Sequence, residues 1–564
     1  MCSSILQHSN SQQWQAQMIW AWALLAIFAC ARAHDAQARQ DFVAWLQRGG
    51  TDLEHLEITD FSELGWGVRT RKPIRAGELI LAVPSNLILD TATVERSVVG
   101  KLCDGLGAAG LGDAIDGTSV MPRTQLALFL VHERLQMMRY LGVGRTALEK
   151  HWWPYLRMLG DEMPSIPLSW SQRAVQTLRG APTSWATLSQ ERFLARRSIA
   201  TADAAFDRAT QLFAVVPGTA AAWPWNGAPD ATTGAGATAR NATALALAWR
   251  KVLRAGFYWA LAVVTSRSWC SLGGFNGQCR MIPFMHLFNH HSAAAAVQEV
   301  FWVNASGSKQ RAGRGVIALD EVAPGEQVFI SYLDAESSVQ EDDSDGSFCA
   351  LPFAWTFGFI DSEANIHCAY LVLHGRNKQP GTGNGESDDE LAKLAGAKAV
   401  ILAQMEAVSA TQPRAALGGA THHVRATLCA SSTSAASPRC PQPVPLVAMR
   451  MLRVTMLTAS ELQYMLQRYG LQQNNSSRLT PRHFNVPVSL ANELRVCRFL
   501  HRTLLQVHNR FSGGTSLASD QRSLATESDA SVRVALSIRI GERRAVLSAL
   551  RWVKRKWKEI LVAV

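Results

Sequence analysis

The stretch RMIPFMHLFNHHSA, residues 280 to 293, carries three histidines, His286, His290 and His291. His286 and His290 stand four apart, the spacing at which two imidazoles on one helix face ligate zinc. Zinc needs further ligands, and its structural sites draw on closely spaced cysteines. None of the ten cysteines forms a C-x-x-C pair, no carboxylate pattern lies beside the histidines, and Pro283 argues against a long regular helix through them. The residues alone leave open a metal site, a buried histidine pair, and a loop in which Asn289 and His290 act side by side.

Three other places could do chemistry. Arg267 follows the apolar stretch 256–266, where a guanidinium can grip a carboxylate at two points or simply cap a helix C-terminus. Tyr332 ends the strand-like QVFISY, where its hydroxyl could polarise a reacting group or serve structure only. Gly65-Trp66-Gly67 lacks side chains at two of three positions, which suits either a plain turn or backbone approach to a ligand.

These residues need elements to hold them. ARQDFVAWLQRGG, 38–50, reads as a helix closed by Gly49-Gly50. Residues 64–84 alternate and then run apolar from Leu79 to Val83, which predicts strands separated by turns at Pro73 and Ala76-Gly77. From about 91 to 265 the pattern is helical, with Leu126, Phe129, Leu130, Met137, Met138 and Leu141 on one face. Residues 217–243, rich in Ala, Gly, Thr and Pro, read as an insertion within it. Residues 315–332 predict two strands around Pro324-Gly325, followed by an acidic stretch, 334–347, and the aromatic PFAWTFGFI, 352–360. Beyond about 375 the pattern is helical, so the chain reads as an α+β domain followed by an all-α one.

Composition sets limits. The chain has 564 residues, 48% hydrophobic and 18% charged, enough for two or three domains with proper cores. The net charge of +11 favours acidic partners, but the basic residues are scattered and KRKWK, 554–558, fits a solvated helix face, which argues against nucleic acid. Ten dispersed cysteines predict mostly reduced core residues and an intracellular compartment. MIWAWALLAIFACARA, 18–33, is too short to span a bilayer and ends in an A-x-A pattern, yet no Lys or Arg precedes it. Residues 1–38 therefore read either as a targeting leader or as a buried N-terminal helix. Plastid is the expectation for a leader, and cytoplasm or nucleus otherwise.

Four segments in order carry a resemblance: GWGVRTRKPIRAGELILAVP, VVTSRSW, IPFMHLFNH, and GEQVFISY with FGFI beyond it. Together the set resembles the SET-domain protein methyltransferases of the class that includes the Rubisco large-subunit lysine methyltransferases and the actin-histidine methyltransferase. LALFLVHERL with HWWPYLRMLGDEMPSIPLSW is similar to that class's helical insertion. LANELRVCRFLHRTL with VRVALSIRIGERRAVL is similar to its C-terminal substrate-binding helices, so the likeness runs over roughly residues 40 to 550. The resemblance implies a SET domain over 39–375 with the insertion at about 91–265, and a helical substrate-binding domain over 376–564. It implies S-adenosyl-L-methionine as cofactor, a protein substrate, no metal and a monomer. Leu64, Gly65, Trp66, Arg267, Asn289 and His290 would hold the cofactor, and Tyr332 would be the catalytic tyrosine. Ser271, His286 and Phe357 would line the acceptor side.

Two positions depart from the pattern. The family carries Asp where this chain has His286, and the lysine methyltransferases often carry a second Tyr where it has Phe357. Both lie on the acceptor side. Transfer to lysine is the leading expectation, with transfer to histidine, or a silent SET-like scaffold that binds a partner, as alternatives.

Overall fold

The computed structural model describes residues 36–113, 119–141, 151–213, 239–270, 279–332, 350–360, 366–375, 394–402, 422–431, 442–471, 478–511 and 515–563, apart from 63, 292–294 and 303–312. The apolar stretch 18–33 and the acidic stretch 334–347 lie outside the described residues. Helix α1 covers 36–48 and ends at Gly49-Gly50, where Gly50 takes a φ of 95° that a side chain would resist. Its face buries Phe42, Trp45 and Leu46. Strands β1 (Leu56–Asp60) and β2 (Trp66–Thr70) form an antiparallel pair, with Gly65 at φ 69° in the turn between them. Strand β3 (Leu79–Pro84) starts the main sheet, and β4 (Leu89–Asp90) leads into the helices.

The insertion is helical. Asp90 caps α2 (Thr91–Glu95) by accepting from Thr93 N–H, and Ser97 caps α3 (Val98–Ala108), as their types favour. Helices α4 (Pro122–Leu141), α5 (Trp153–Met158), α6 (Gln172–Leu178), α7 (Pro182–Arg208) and α8 (Ala239–Arg267) follow. Proline opens α4 and α7, where its missing N–H costs nothing. Buried Leu126, Phe129, Leu130 and Met137 of α4 join Phe257 and Trp259 of α8 in the core built on the α1 face.

At its end α8 passes into β5 (Ser268–Cys270), which pairs with β6 (Cys279–Met281). Strands β7 (Asn289–His290), β8 (Ala295–Trp302), β9 (Gly313–Ala318) and β10 (Phe329–Ile330) complete a five-stranded sheet of order β3-β9-β8-β10-β7. Strand β10 lies between two strands that precede it in sequence and is parallel to both. The segment before it is pinned to β2 by Thr70 N–H to Glu326 O and Val328 N–H to Val68 O. The chain thus threads 322–332 between β2 and the 289–297 region, and this brings Asn289, His290 and Tyr332 together. The predicted long strand QVFISY is only Phe329–Ile330, because its flanks spend their hydrogen bonds on β2 and on the loop at His290 and His291 instead.

Helix α9 (Ala350–Phe357) returns to α8. Beyond it come β11 (Ile366–Gly375), α10 (394–402), β12 (His422–Ser431), α11 (Leu446–Thr455), α12 (Ala459–Arg468), α13 (Leu490–Phe511), α14 (Leu517–Thr526) and α15 (Ala530–Ala563). This region is helical as the periodicity predicts, with one addition, the antiparallel pair β11-β12. A second core of α11, α13 and α15 residues also takes in Trp170, Val175 and Leu178 of the insertion. Two polar ties bind these parts: Arg539 donates to Thr177 O at 3.1 Å, and buried Glu542 accepts from Ser184 N–H at 2.9 Å near the start of α7. No helix among the described residues is long and apolar enough to cross a membrane.

Candidate active site

His286 and His290 do not share a helix. Pro283 is followed by Phe284 at a φ of 70°, rare for an aromatic residue, and then by a single 3-10 turn, Met285–Leu287. The chain is extended again at Asn289-His290. Such strain in a fully buried residue marks a backbone held in place by its surroundings. The two imidazoles therefore face different neighbours. His286 meets Tyr155 (ring centroids 5.3 Å apart) and Phe42 (6.4 Å). His290 lies 5.1 Å from the Tyr332 ring, and its Nδ1 accepts from Tyr332 N–H at 2.9 Å. Neutral His290 then carries its proton on Nε2. No cluster of three possible metal ligands occurs among the described residues.

Tyr332 lies just past β10, and its hydroxyl donates to Phe288 O at 2.7 Å. The Phe357 ring is 4.4 Å from its own, and Phe359 is 6.1 Å from His290. Burial pushes the Tyr332 hydroxyl up to about 12, against the pull of Arg267. It stays protonated at any ordinary pH.

Arg267, the last residue of α8, makes no ion pair among the described residues. Burial lowers its proton affinity, while neighbouring Tyr155 and Tyr332 act in the opposite sense. Both tyrosines and His286 feel its charge, so the guanidinium stands among all three. A partly buried cation with no carboxylate beside it is costly unless an anion arrives.

Opposite β2, the Asn289 amide nitrogen is buried and has no hydrogen-bond partner among the described residues. A Cβ on Gly67 would stand 2.7 Å from that nitrogen and 2.7 Å from the Phe61 ring, so only glycine fits there. Trp66 packs under Arg39 of α1, 5.1 Å from guanidinium carbon to ring centre, and Leu64 is 56% exposed at the turn. The structure thus collects Gly65, Trp66, Asn289, His290, Tyr332 and Phe357 around the threaded segment, with Arg267 behind Tyr332. Ser271 lies outside the described residues.

His286 is placed differently from an open channel wall. Both ring nitrogens are buried with no side-chain partner, and burial, then Arg267, hold its pKa well below the usual histidine value. It is a neutral imidazole sealed against Tyr155. Sequence reasoning missed Tyr155, whose hydroxyl is buried and without a partner among the described residues and whose pKa burial raises. Its only signal is its place after Pro154 at the start of α5. Cys279 is disulfide-bonded, an exception to the expectation of mostly reduced cysteines. Cys103 and Cys497 are free and buried.

Residues 65–333 match the SET domain model, and residues 389–546 match that of the Rubisco LSMT substrate-binding domain. The chain carries a SET domain. Its SET domain holds the threaded β10 segment and every candidate residue resolved above except Leu64 and Phe357. Actin-histidine N-methyltransferases of Mus musculus and Gallus gallus are 27% and 28% identical to it over 157 residues. Those matches span 28% of this chain and 23% of the relatives. Among solved structures, the SET domain of LSMT bound to lysine and AdoHcy superposes with a TM-score of 0.58 at 18% identity, covering 93% of this chain and 92% of that one. Rubisco LSMT bound to AdoMet gives 0.55, also at 18% identity, with 93% of each chain covered.

Proposed function

We propose that this SET-domain protein transfers a methyl group from S-adenosyl-L-methionine to the side-chain amine of a lysine in a protein substrate. The observation that carries the reading is the Arg267 guanidinium near Tyr332, which has no ion pair among the described residues, together with the Asn289 amide packed on the Gly67 cradle. These groups suit the zwitterionic end of the cofactor: a guanidinium for its carboxylate, an amide N–H for a second acceptor, and a bare backbone where contact is close. When bound, the cofactor supplies a methyl group on a cationic sulfur.

The chain's own residues do the rest. Tyr332 Oη spends its proton on Phe288 O at 2.7 Å, which fixes the phenol and leaves its oxygen lone pairs toward an incoming N–H. His290 holds the Tyr332 backbone through Nδ1. Phe357 and Phe359 exclude water from the acceptor path, which strengthens each of these interactions. A lysine acceptor must lose its proton before attack, from a reference pKa of about 10.4. Desolvation and the Arg267 cation both favour its neutral form. The helical C-terminal domain would hold the protein substrate.

A second reading, transfer to a histidine, draws on His286. A neutral imidazole stands where the family has a carboxylate, so the acceptor side offers no negative charge to an ammonium. Imidazole arrives neutral at pH 7 without that help. Incubation with labelled cofactor and a cell lysate, followed by mapping of the modified residue, tests both readings. A labelled lysine supports the first and a labelled histidine the second. No label in any protein supports a silent scaffold and sinks both.

A further inference from the structure

The basic residues are scattered along the sequence but not evenly balanced. Nineteen lysines and arginines and seven acidic residues lie between 446 and 563, a net of +12, while the whole chain carries +11. Each of those acidic residues is already engaged within the fold. Glu461 pairs with Arg495, Glu493 with Arg453, Asp520 with Arg539 and Arg543, and Glu527 with Arg173. Asp529 caps the start of α15 by accepting from Ser531 and Val532 N–H, Glu542 accepts from Ser184 N–H, and Glu559 pairs with Lys556. The other cations of this region must look outside it for a partner.

Six of them gather on two packed helices. Arg551, Lys554, Arg555 and Lys558 of α15 are exposed and fall at i, i+3, i+4 and i+7, a stripe about 10 Å long opposite buried Val553 and Ile560. None of the four makes an ion pair among the described residues. Helix α13 adds exposed Arg498 and Arg502, and the Trp557 ring stands 5.9 Å from the Arg498 guanidinium carbon and 5.8 Å from the His501 ring. Like charges three and four residues apart repel, so the stripe costs the helix stability unless an anion meets it. The helix macrodipole does not account for it, because that effect fades within the last turn, and the last turn of α15 holds no basic residue. The stripe also lies beyond residue 546, where the match to the substrate-binding model ends. An acidic protein segment fits best. Trp557 is engaged by Arg498 and His501 rather than held out as a platform for stacking bases. A length of about 10 Å matches three or four residues of extended chain.

We propose that this basic face of α13 and α15 docks a short acidic run on the protein that the chain methylates. This rests on the protein N-methyltransferase reading and adds the charge of the substrate to it. The probe is a fluorescein-labelled oligoglutamate peptide titrated into the full chain at about 150 mM salt, where charges are screened beyond about 8 Å. An oligoglutamine peptide of equal length, a DNA strand of equal charge and phosphatidylserine vesicles run beside it. Single exposed ion pairs are weak, at most about fivefold each, so the stripe acts as a set. Lys554→Glu, Arg555→Glu and Lys558→Glu together should weaken oligoglutamate at least about tenfold, and oligoglutamine should not bind. Arg48→Glu, Arg75→Glu and Lys101→Glu make the same charge change at exposed positions elsewhere and should weaken it less than about threefold. Both triple variants should keep their affinity for S-adenosylhomocysteine within about twofold, which shows that they are folded. On a substrate mapped from a lysate, the α15 variant should raise KM about tenfold and leave kcat within about twofold. Equal weakening by the two triple variants, or none by the α15 variant, overturns the docking face. DNA or vesicles bound more tightly than oligoglutamate overturn an acidic protein as its occupant. No labelled protein with wild type overturns the methyltransferase reading instead, and the peptide titration tells the two failures apart.

Discussion

Gly67→Ala puts the cofactor cradle to a quantitative test. An added Cβ would stand 2.7 Å from Asn289 Nδ2 and 2.7 and 2.9 Å from two Phe61 ring atoms, where ordinary contact begins at 3.4 Å. The overlap is about 0.7 Å with both the Asn289 amide and the Phe61 ring, so neighbours must give way. Phe61 follows β1 and donates its N–H to Gly65 O, and Asn289 is tied into β7 opposite Phe329. Overpacking of this kind costs about 1–3 kcal/mol. If the Asn289 amide yields, that cost falls on ligand binding, and the dissociation constant for S-adenosylhomocysteine rises about 10- to 100-fold. Calorimetric titration reads the change directly. Gly105→Ala in α3 is the control, because its Cβ meets nothing within 4 Å, and it should bind as wild type does. Wild-type affinity in a folded Gly67→Ala protein would remove the cradle from the account.

Other perturbations probe separate parts. Arg267→Ala should weaken S-adenosylhomocysteine about 10- to 100-fold by calorimetry, the loss of a charged hydrogen bond, and Arg267→Lys should recover only part because it cannot grip at two points. His286 is held neutral in the fold, so below about pH 6.5 the unfolded chain binds a proton that the folded chain does not, and stability falls as pH falls. The unfolding free energy from urea titrations should drop between pH 7 and pH 5 by about 1–2 kcal/mol more for wild type than for His286→Phe. Glu542, 0% exposed, accepts from Ser184 N–H, so Glu542→Ala should destabilise the protein by about 2–4 kcal/mol in denaturant unfolding.

What the sequence showed and what it hid follow from range. Local pattern was enough for α1 with its glycine stop, for the helical insertion, and for β2 and β3. Asn289-His290 and Tyr332 were legible as separate marks, because Pro283 already broke the helix that a metal pair would need. Their meeting depends on β10 slipping between β7 and β8, a pairing over some forty residues that no local periodicity encodes. Tyr155 was hidden for a similar reason: it comes from the insertion, and only packing against His286 gives it a place near Arg267. The β11-β12 pair interrupts a region whose composition reads as helical, since two strands that cover each other need no helical period.

The central claim is that Tyr332 serves methyl transfer to a protein side chain. Labelled S-adenosyl-L-methionine, a cell lysate, and the wild-type and Tyr332→Phe proteins side by side test it most directly. Wild type should label a protein at a mapped lysine. Tyr332→Phe should bind S-adenosylhomocysteine equally well and transfer the methyl about 10²-fold more slowly or worse, as when a polar group acting in the transition state is lost. Equal rates in the two proteins, or no labelled protein with wild type, would contradict the account.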